Sequence, residues 1–301
     1  MKINKCYLLM ILATFFWSGA FIAGKLSTPY IPPFTLTFLR FVIATFLLFL
    51  FIKFKEKKLY KPKKEDIPVF LFTGIIGMFG YHILFFYSLK YTTAINSSII
   101  GSTNPIITTL LGVIILGDKI SPRKLFGILI SICGIILTIT NGKIASLSSV
   151  VFNIGDIYMI LAVIMWASYS VFSKKVCHRY KPIHLTFYSF LFCTIFLIPF
   201  VLLENPWTML TSAPTSTYLA ILYMSIFASI IGYLIQQISI KEIGASSTNI
   251  FINLVPVFSI ILSTLILHEE LTSIKVVSAL IIICGVYISQ KSSLTSKKVQ
   301  I

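Results

Sequence analysis

A chain of 301 residues that is 57% hydrophobic and 11% charged, with a mean hydropathy of +0.94, has no material for a water-facing surface, since soluble domains carry about 25% charged residues. Its net charge of +16 sits in short basic runs between apolar stretches. Membrane orientation produces that distribution and a phosphate-tracking groove does not, so no nucleic-acid partner is expected. The five cysteines (Cys6, Cys133, Cys177, Cys193, Cys284) lack paired or metal-ligand spacing and read as small hydrophobes in packed helices; no metal or other cofactor is expected.

From the N-terminus, a basic start (Met1–Lys5) leads into an apolar run over Tyr7–Gly24. Its composition would also suit a cleaved leader. However, Met10, Ile11, Leu12, Ala13, Trp17 and Lys25 recur 149 residues later as Met159, Ile160, Leu161, Ala162, Trp166 and Lys174. A disposable leader has no reason to resemble an internal segment, so the run reads as a first transmembrane helix. Pro29, Pro32 and Pro33 mark a turn, Phe34–Phe54 forms a second span, and seven lysines fill 53–64. The 149 offset persists, with Pro33, Leu36, Thr37, Phe38 and Phe41 matching Pro182, Leu185, Thr186, Phe187 and Phe190.

Further spans are expected over Ile67–Leu89, Ile95–Leu116 and Lys124–Thr140. Past a polar link, Asn141–Asn153, they resume over Gly155–Ser173, Leu185–Leu203, Ser216–Ile240, Ser246–Leu267 and Lys275–Gln290. The fourth is almost continuously apolar and carries Pro105 at its middle, with Asp118 just past its end. The ninth repeats it 151 residues later, with Pro256 for Pro105, Leu262 for Leu111, Leu267 for Leu116 and Glu269 for Asp118. Cys133 and Gly134 likewise fall on Cys284 and Gly285. The expected fold class is an all-α integral membrane protein of ten transmembrane helices in two five-helix repeats, residues 1–141 and 154–291, with a basic cytoplasmic tail over 292–301.

With both termini cytoplasmic, 20 of the 25 Lys and Arg residues fall inside, which is the bias that sets orientation in the cell membrane. An odd number of spans per repeat makes the second half enter the membrane opposite to the first. Such an inverted repeat can expose a central cavity to each side in turn.

The chain resembles two EamA-type repeats of the drug/metabolite transporter superfamily over nearly its whole length. The resemblance rests on the Trp-containing first helix of each half (FFWSGAFIAGK, IMWASYSVFSKK), the proline-centred fourth (NPIITTLLGVIILGDKIS, VPVFSIILSTLILHEELT) and the closing helix (GILISICGII, ALIIICGVYI). Asp118 departs from the glutamate usual at its position. The resemblance implies a secondary transporter of small metabolites, exporting in preference to importing, with a site lined by helices 1, 3, 4, 6, 8 and 9.

Trp17 and Trp166 fall about 15 Å into their spans, although tryptophan favours the headgroup region. With Tyr81, Tyr169 and Tyr233 they are candidates to line a cavity and stack on substrate; helix packing is the plain alternative. His82, the one histidine inside a span, can hydrogen-bond substrate or shuttle a proton, or be satisfied by a neighbour. Gln236, and Asn104 and Asn253 ahead of Pro105 and Pro256, are candidate polar contacts, because a proline frees the carbonyl four residues back. No Asp or Glu lies inside a span, which argues against a carboxylate proton carrier. Asp118 and Glu269 are expected to cap helices or pair near Arg123 and Lys275, and Arg40 to snorkel to the outer face.

The lining so read is aromatic, amphipathic and uncharged, which ranks amino acids and related metabolites first and leaves phosphorylated sugars without an arginine cluster. An enzyme would need clustered acids, a metal pair or an activated nucleophile, and none is present. A channel would need a continuous polar stripe. A non-transporting scaffold or receptor stays open as the alternative. The partners expected are a small-molecule substrate and the bilayer, with a homodimer left open.

Overall fold

The computed structural model describes residues 3–56, 59–116, 121–142, 153–176, 178–243, 248 and 250–296. All regular structure among the described residues is helical, as hydrocarbon requires of a chain that must satisfy its own backbone. Seven helices are long and apolar enough to cross a membrane: α1 (Lys5–Ser27), α2 (Pro33–Glu56), α3 (Lys64–Tyr91), α4 (Ala94–Ile115), α6 (Ile154–Val176), α7 (Pro182–Glu204) and α8 (Thr215–Ile243). Three more have shorter apolar stretches. They are α5 (Pro122–Ile139), α9 (Ile250–Leu254 continuing as Val255–Leu262 and Ser263–Leu267) and α10 (Ser273–Ser296).

The helix ends explain themselves locally. Pro33 and Pro182 open α2 and α7, where a missing N–H costs nothing. Asn205 (φ 46°) and His268 (φ 52°) leave α7 and α9 through the left-handed region. Two carboxylates from distant helix ends cap N-termini, where the helix dipole favours negative charge. Glu204 accepts from the Phe34 and Thr35 backbone N–H groups at 3.1 and 2.7 Å, and Glu269 from those of Ala94 and Ile95 at 2.8 and 3.0 Å. The capping role read for Glu269 thus falls on α4. Lys275 instead donates to the Glu270 carbonyl at 3.0 Å. Asp118 lies outside the described residues.

Equivalent helices run in opposite directions. At one end of the bundle Lys25, closing α1, donates to the Leu89 and Thr92 carbonyls at 2.8 and 2.6 Å, and Thr92 donates to Asp156, opening α6, at 2.7 Å. Glu204 ties the end of α7 to the start of α2 there. At the far end Lys181 pairs with Glu56 at 2.7 Å. Asp66 accepts there from the phenols of Tyr60 and Tyr180, both at 2.6 Å. That carboxylate raises the Tyr60 pKa, while burial first and Asp66 second raise that of Tyr180.

α2 packs along α7, and α5 packs closely along α10. At the second contact a methyl group on Gly134 would lie 2.6 Å from Ile282 Cγ1, and Ser131 donates to the Ile282 carbonyl at 3.2 Å. Residues one repeat apart therefore meet at this crossing. The repeat also carries a defect in common. α3 widens to π-helix over Thr73–Gly80 and α8 over Met224–Ile231, the same stretch displaced by 151 residues. Such widening leaves backbone carbonyls free for other donors, and one carbonyl in each π segment, Met78 and Ala228, lies within hydrogen-bond distance of a residue of the central cavity.

Candidate functional site

At that centre a cavity of about 60 Å³ is bounded by α1, α2, α3, α4, α6, α8 and α9, several times the roughly 10–15 Å³ that one water needs. Six aromatic side chains line it. Trp17 stands edge-on to Trp166 with ring centroids 6.0 Å apart, and Trp166 lies 4.5 Å from Tyr81 and 5.3 Å from Tyr233. Phe21 meets Phe85 at 4.9 Å on the next face. The cavity floor is aliphatic, from Met159, Val163, Ile252 and Val255.

The polar groups are held from the π segments. The Trp17 indole donates to the Ala228 carbonyl at 3.1 Å, a carbonyl inside the α8 π segment. His82 Nδ1 lies 2.8 Å from the Met78 carbonyl, inside the α3 π segment. A carbonyl only accepts, so Nδ1 carries the proton and Nε2 is left as acceptor for the Tyr233 hydroxyl at 3.4 Å. In the neutral imidazole this contact sets the tautomer, with the proton on Nδ1. Three lining residues keep donors without a partner. The Trp166 indole N–H and the Asn104 Nδ2 are buried without a partner. Arg40 spends only its Nε, donating to Ser229 at 2.7 Å.

Six of the residues singled out in the sequence therefore line the cavity together: Trp17, Tyr81, His82, Asn104, Trp166 and Tyr233. Tyr169, Gln236 and Asn253 do not. Tyr169 packs on Gly77 and accepts a hydrogen bond from Gln237 at 2.8 Å. Gln236 is buried with both amide atoms unpartnered, and Asn253 with its Oδ1 unpartnered, away from the cavity wall.

Arg40 corrects the sequence reading. It does not snorkel: only 2% of it is exposed, and it forms part of the cavity wall, with its guanidinium 5.6 Å from the Phe41 ring centre. The lining is therefore not uncharged. A charged side chain near the middle of a membrane costs about 2.5–3.5 kcal/mol even by permissive scales. The signal that could have found it was the rule that an ionisable residue inside a span marks a site.

These features define a multi-helix membrane protein that holds a small aromatic and polar chamber between two pseudo-equivalent halves. The chain belongs to the EamA-like transporter family, whose model matches residues 4–140 and again 153–290. It is 30% identical over 286 residues, 95% of this chain and 93% of the relative, to the uncharacterized transporter YyaM of Bacillus subtilis (strain 168). An uncharacterized transporter of Archaeoglobus fulgidus is 32% identical over 95% of this chain and 97% of its own length. A protein of Escherichia coli (strain K12) named a probable amino-acid metabolite efflux pump is 26% identical over 95% of both chains. A crystal structure at 20% identity superposes with a TM-score of 0.66 over 99% of this chain and 98% of its own, and shares the fold.

Proposed function

We propose that this protein is a secondary transporter that exports small amphipathic metabolites of the amino-acid class across the cell membrane. Ten spans in two inverted five-helix repeats, 1–141 and 154–291, would rock about the central chamber. One observation carries the reading: residues at equivalent positions of the two halves, Trp17 with Trp166 and His82 with Tyr233, meet around the same cavity. A wall shared by two pseudo-equivalent halves is what alternating access needs, because exchanging their conformations moves the opening and leaves the site in place. The name of the Escherichia coli relative and the indole and phenol faces, which suit the apolar part of such a solute, both favour amino-acid metabolites.

The test is flux in vesicles containing the purified protein. Preloaded radiolabelled amino acids should leave faster than from empty vesicles, saturably, and should exchange against unlabelled solute outside. Unsaturable flux without exchange would indicate a channel instead. Absence of flux for amino acids and for a broad metabolite mixture would leave the scaffold reading.

A further inference from the structure

The cavity wall leaves mainly donors unused; the Tyr81 hydroxyl, which can give or accept, is the other unpaired polar group there. The Arg40 guanidinium offers its two terminal nitrogens, since only Nε has a bond in the structure. The Trp166 indole and the Asn104 amide add buried N–H groups without partners. On the acceptor side, His82 Nε2 already faces the Tyr233 hydroxyl, and no Asp or Glu lines the cavity. Among the described residues Arg40 has no carboxylate partner either; its one hydrogen bond is to the Ser229 hydroxyl. A buried charge of this kind is normally paired. The halves also differ here. The position equivalent to Arg40, 149 residues on, is Ser189, whose hydroxyl is occupied by Thr73 and the Leu185 carbonyl at 2.8 and 2.7 Å.

We propose that the missing counter-ion is the substrate's own carboxylate, held by Arg40 with help from the Trp166 and Asn104 N–H groups. The substrate class narrows accordingly, to organic acids and amino acids with a free carboxylate; their amides, esters and decarboxylated amines are excluded. The guanidinium presents a fork that matches a carboxylate's two oxygens. Ser229 is a positioning residue, holding Nε so that the terminal nitrogens face the chamber. Because the charge belongs to one half only, the solute would bind in one orientation, carboxylate toward α2 and α8 and apolar part against the tryptophans. An ammonium group, where present, finds no acid and must settle on aromatic faces. The inference rests on the cavity being the transport site.

The experiment compares four probes that share a phenyl ring on the purified full-length protein: 3-phenylpropionate, L-phenylalanine, L-phenylalaninamide and 2-phenylethylamine. Binding is read by intrinsic tryptophan fluorescence and by thermal shift in detergent. Both carboxylates should bind about 10- to 100-fold more tightly than the amide and the amine, the range of a charge-assisted hydrogen-bonded pair. Arg40→Gln should bring that ratio to about one, Arg40→Lys should keep part of it, and Ser229→Ala should weaken the carboxylates several-fold while keeping the preference. Equal binding of all four by the unaltered protein overturns the proposal without recourse to any variant. So does failure of both carboxylates to bind, or a preference that survives Arg40→Gln. The transporter reading stands or falls separately: vesicles that move the amide or amine as fast as the acid would keep transport and reject the anchor.

Discussion

His82 and Tyr233, one repeat apart at 151 residues, touch each other: the Tyr233 hydroxyl donates to His82 Nε2 across 3.4 Å. Two equivalent positions can meet only near the axis that relates the halves, so this bond marks that axis within the cavity. Trp17 and Trp166 flank it, and Ser131 with Ile282 marks it again at the α5–α10 crossing. The pseudo-symmetry is broken in its chemistry, however. Trp17 has a carbonyl for its indole, whereas Trp166 has none.

That asymmetry separates the two tryptophans experimentally. Trp17→Phe should cost about 1 kcal/mol of stability through its lost hydrogen bond, visible as a lower melting temperature in detergent, and should weaken an aromatic ligand less than loss of the Trp166 ring does. Trp166→Ala should weaken an aromatic ligand about tenfold, since an aromatic contact is worth roughly 0.5–1.5 kcal/mol beyond area burial, and a glycine-sized ligand less. An equal loss for both ligands would trace the effect to the indole N–H on the carboxylate they share, and reject stacking.

Depth was legible in this sequence and rotation was not. Rise per residue placed Trp17 and Trp166 near mid-membrane, and the structure gathers both with His82 and Tyr233. A helix that is apolar on every side carries no stripe to show which face turns inward. Tyr169, three residues from Trp166, therefore turns aside onto Gly77, and Gln236, three from Tyr233, leaves the wall. Arg40 was misjudged for the same reason: its span was correct, but nothing in the apolar run around it gave its direction. The π segments, which shift the register of α3 and α8 just before Tyr81 and Gly232, have no sequence signature beyond their recurrence.

The charge bias of the sequence predicts an orientation, with the lysine-rich stretch 53–64 in the cytoplasm. Single cysteines at Lys61, just ahead of α3, and at Lys90, at its far end, should label from opposite sides in intact cells. Lys61 should be reachable only after permeabilisation. Labelling of both from outside would refute the inverted ten-span arrangement.

The caps supplied across the bundle make a separate, structural prediction. Glu269 accepts from two α4 N–H groups, so Glu269→Ala should lose about 1 kcal/mol and lower the melting temperature while leaving ligand affinity nearly unchanged. Glu269→Gln keeps one acceptor and should recover part of the loss. A large fall in affinity at unchanged stability would mean that this end of α4 takes part in the transport cycle.

The last prediction concerns coupling. The acids of the described residues sit at helix ends and in loops, and His82 is the one imidazole in the cavity wall. Both its ring nitrogens are engaged, one with Met78 and one with Tyr233. Gaining a proton would require Tyr233 to stop donating and turn its hydroxyl away, next to the fixed charge of Arg40. A proton carrier needs a group that takes up and gives up its proton within the cycle, and this wall supplies none that is free to do so. Imposed pH gradients of either sign should therefore leave the final distribution of a transported amino acid nearly unchanged in vesicles, and His82→Gln should alter its affinity more than its response to pH. Proton-driven accumulation that disappears in His82→Gln would show that the Tyr233 hydroxyl does turn during transport and that the imidazole carries the proton. Accumulation that persists in that variant would place the carrier elsewhere in the chain.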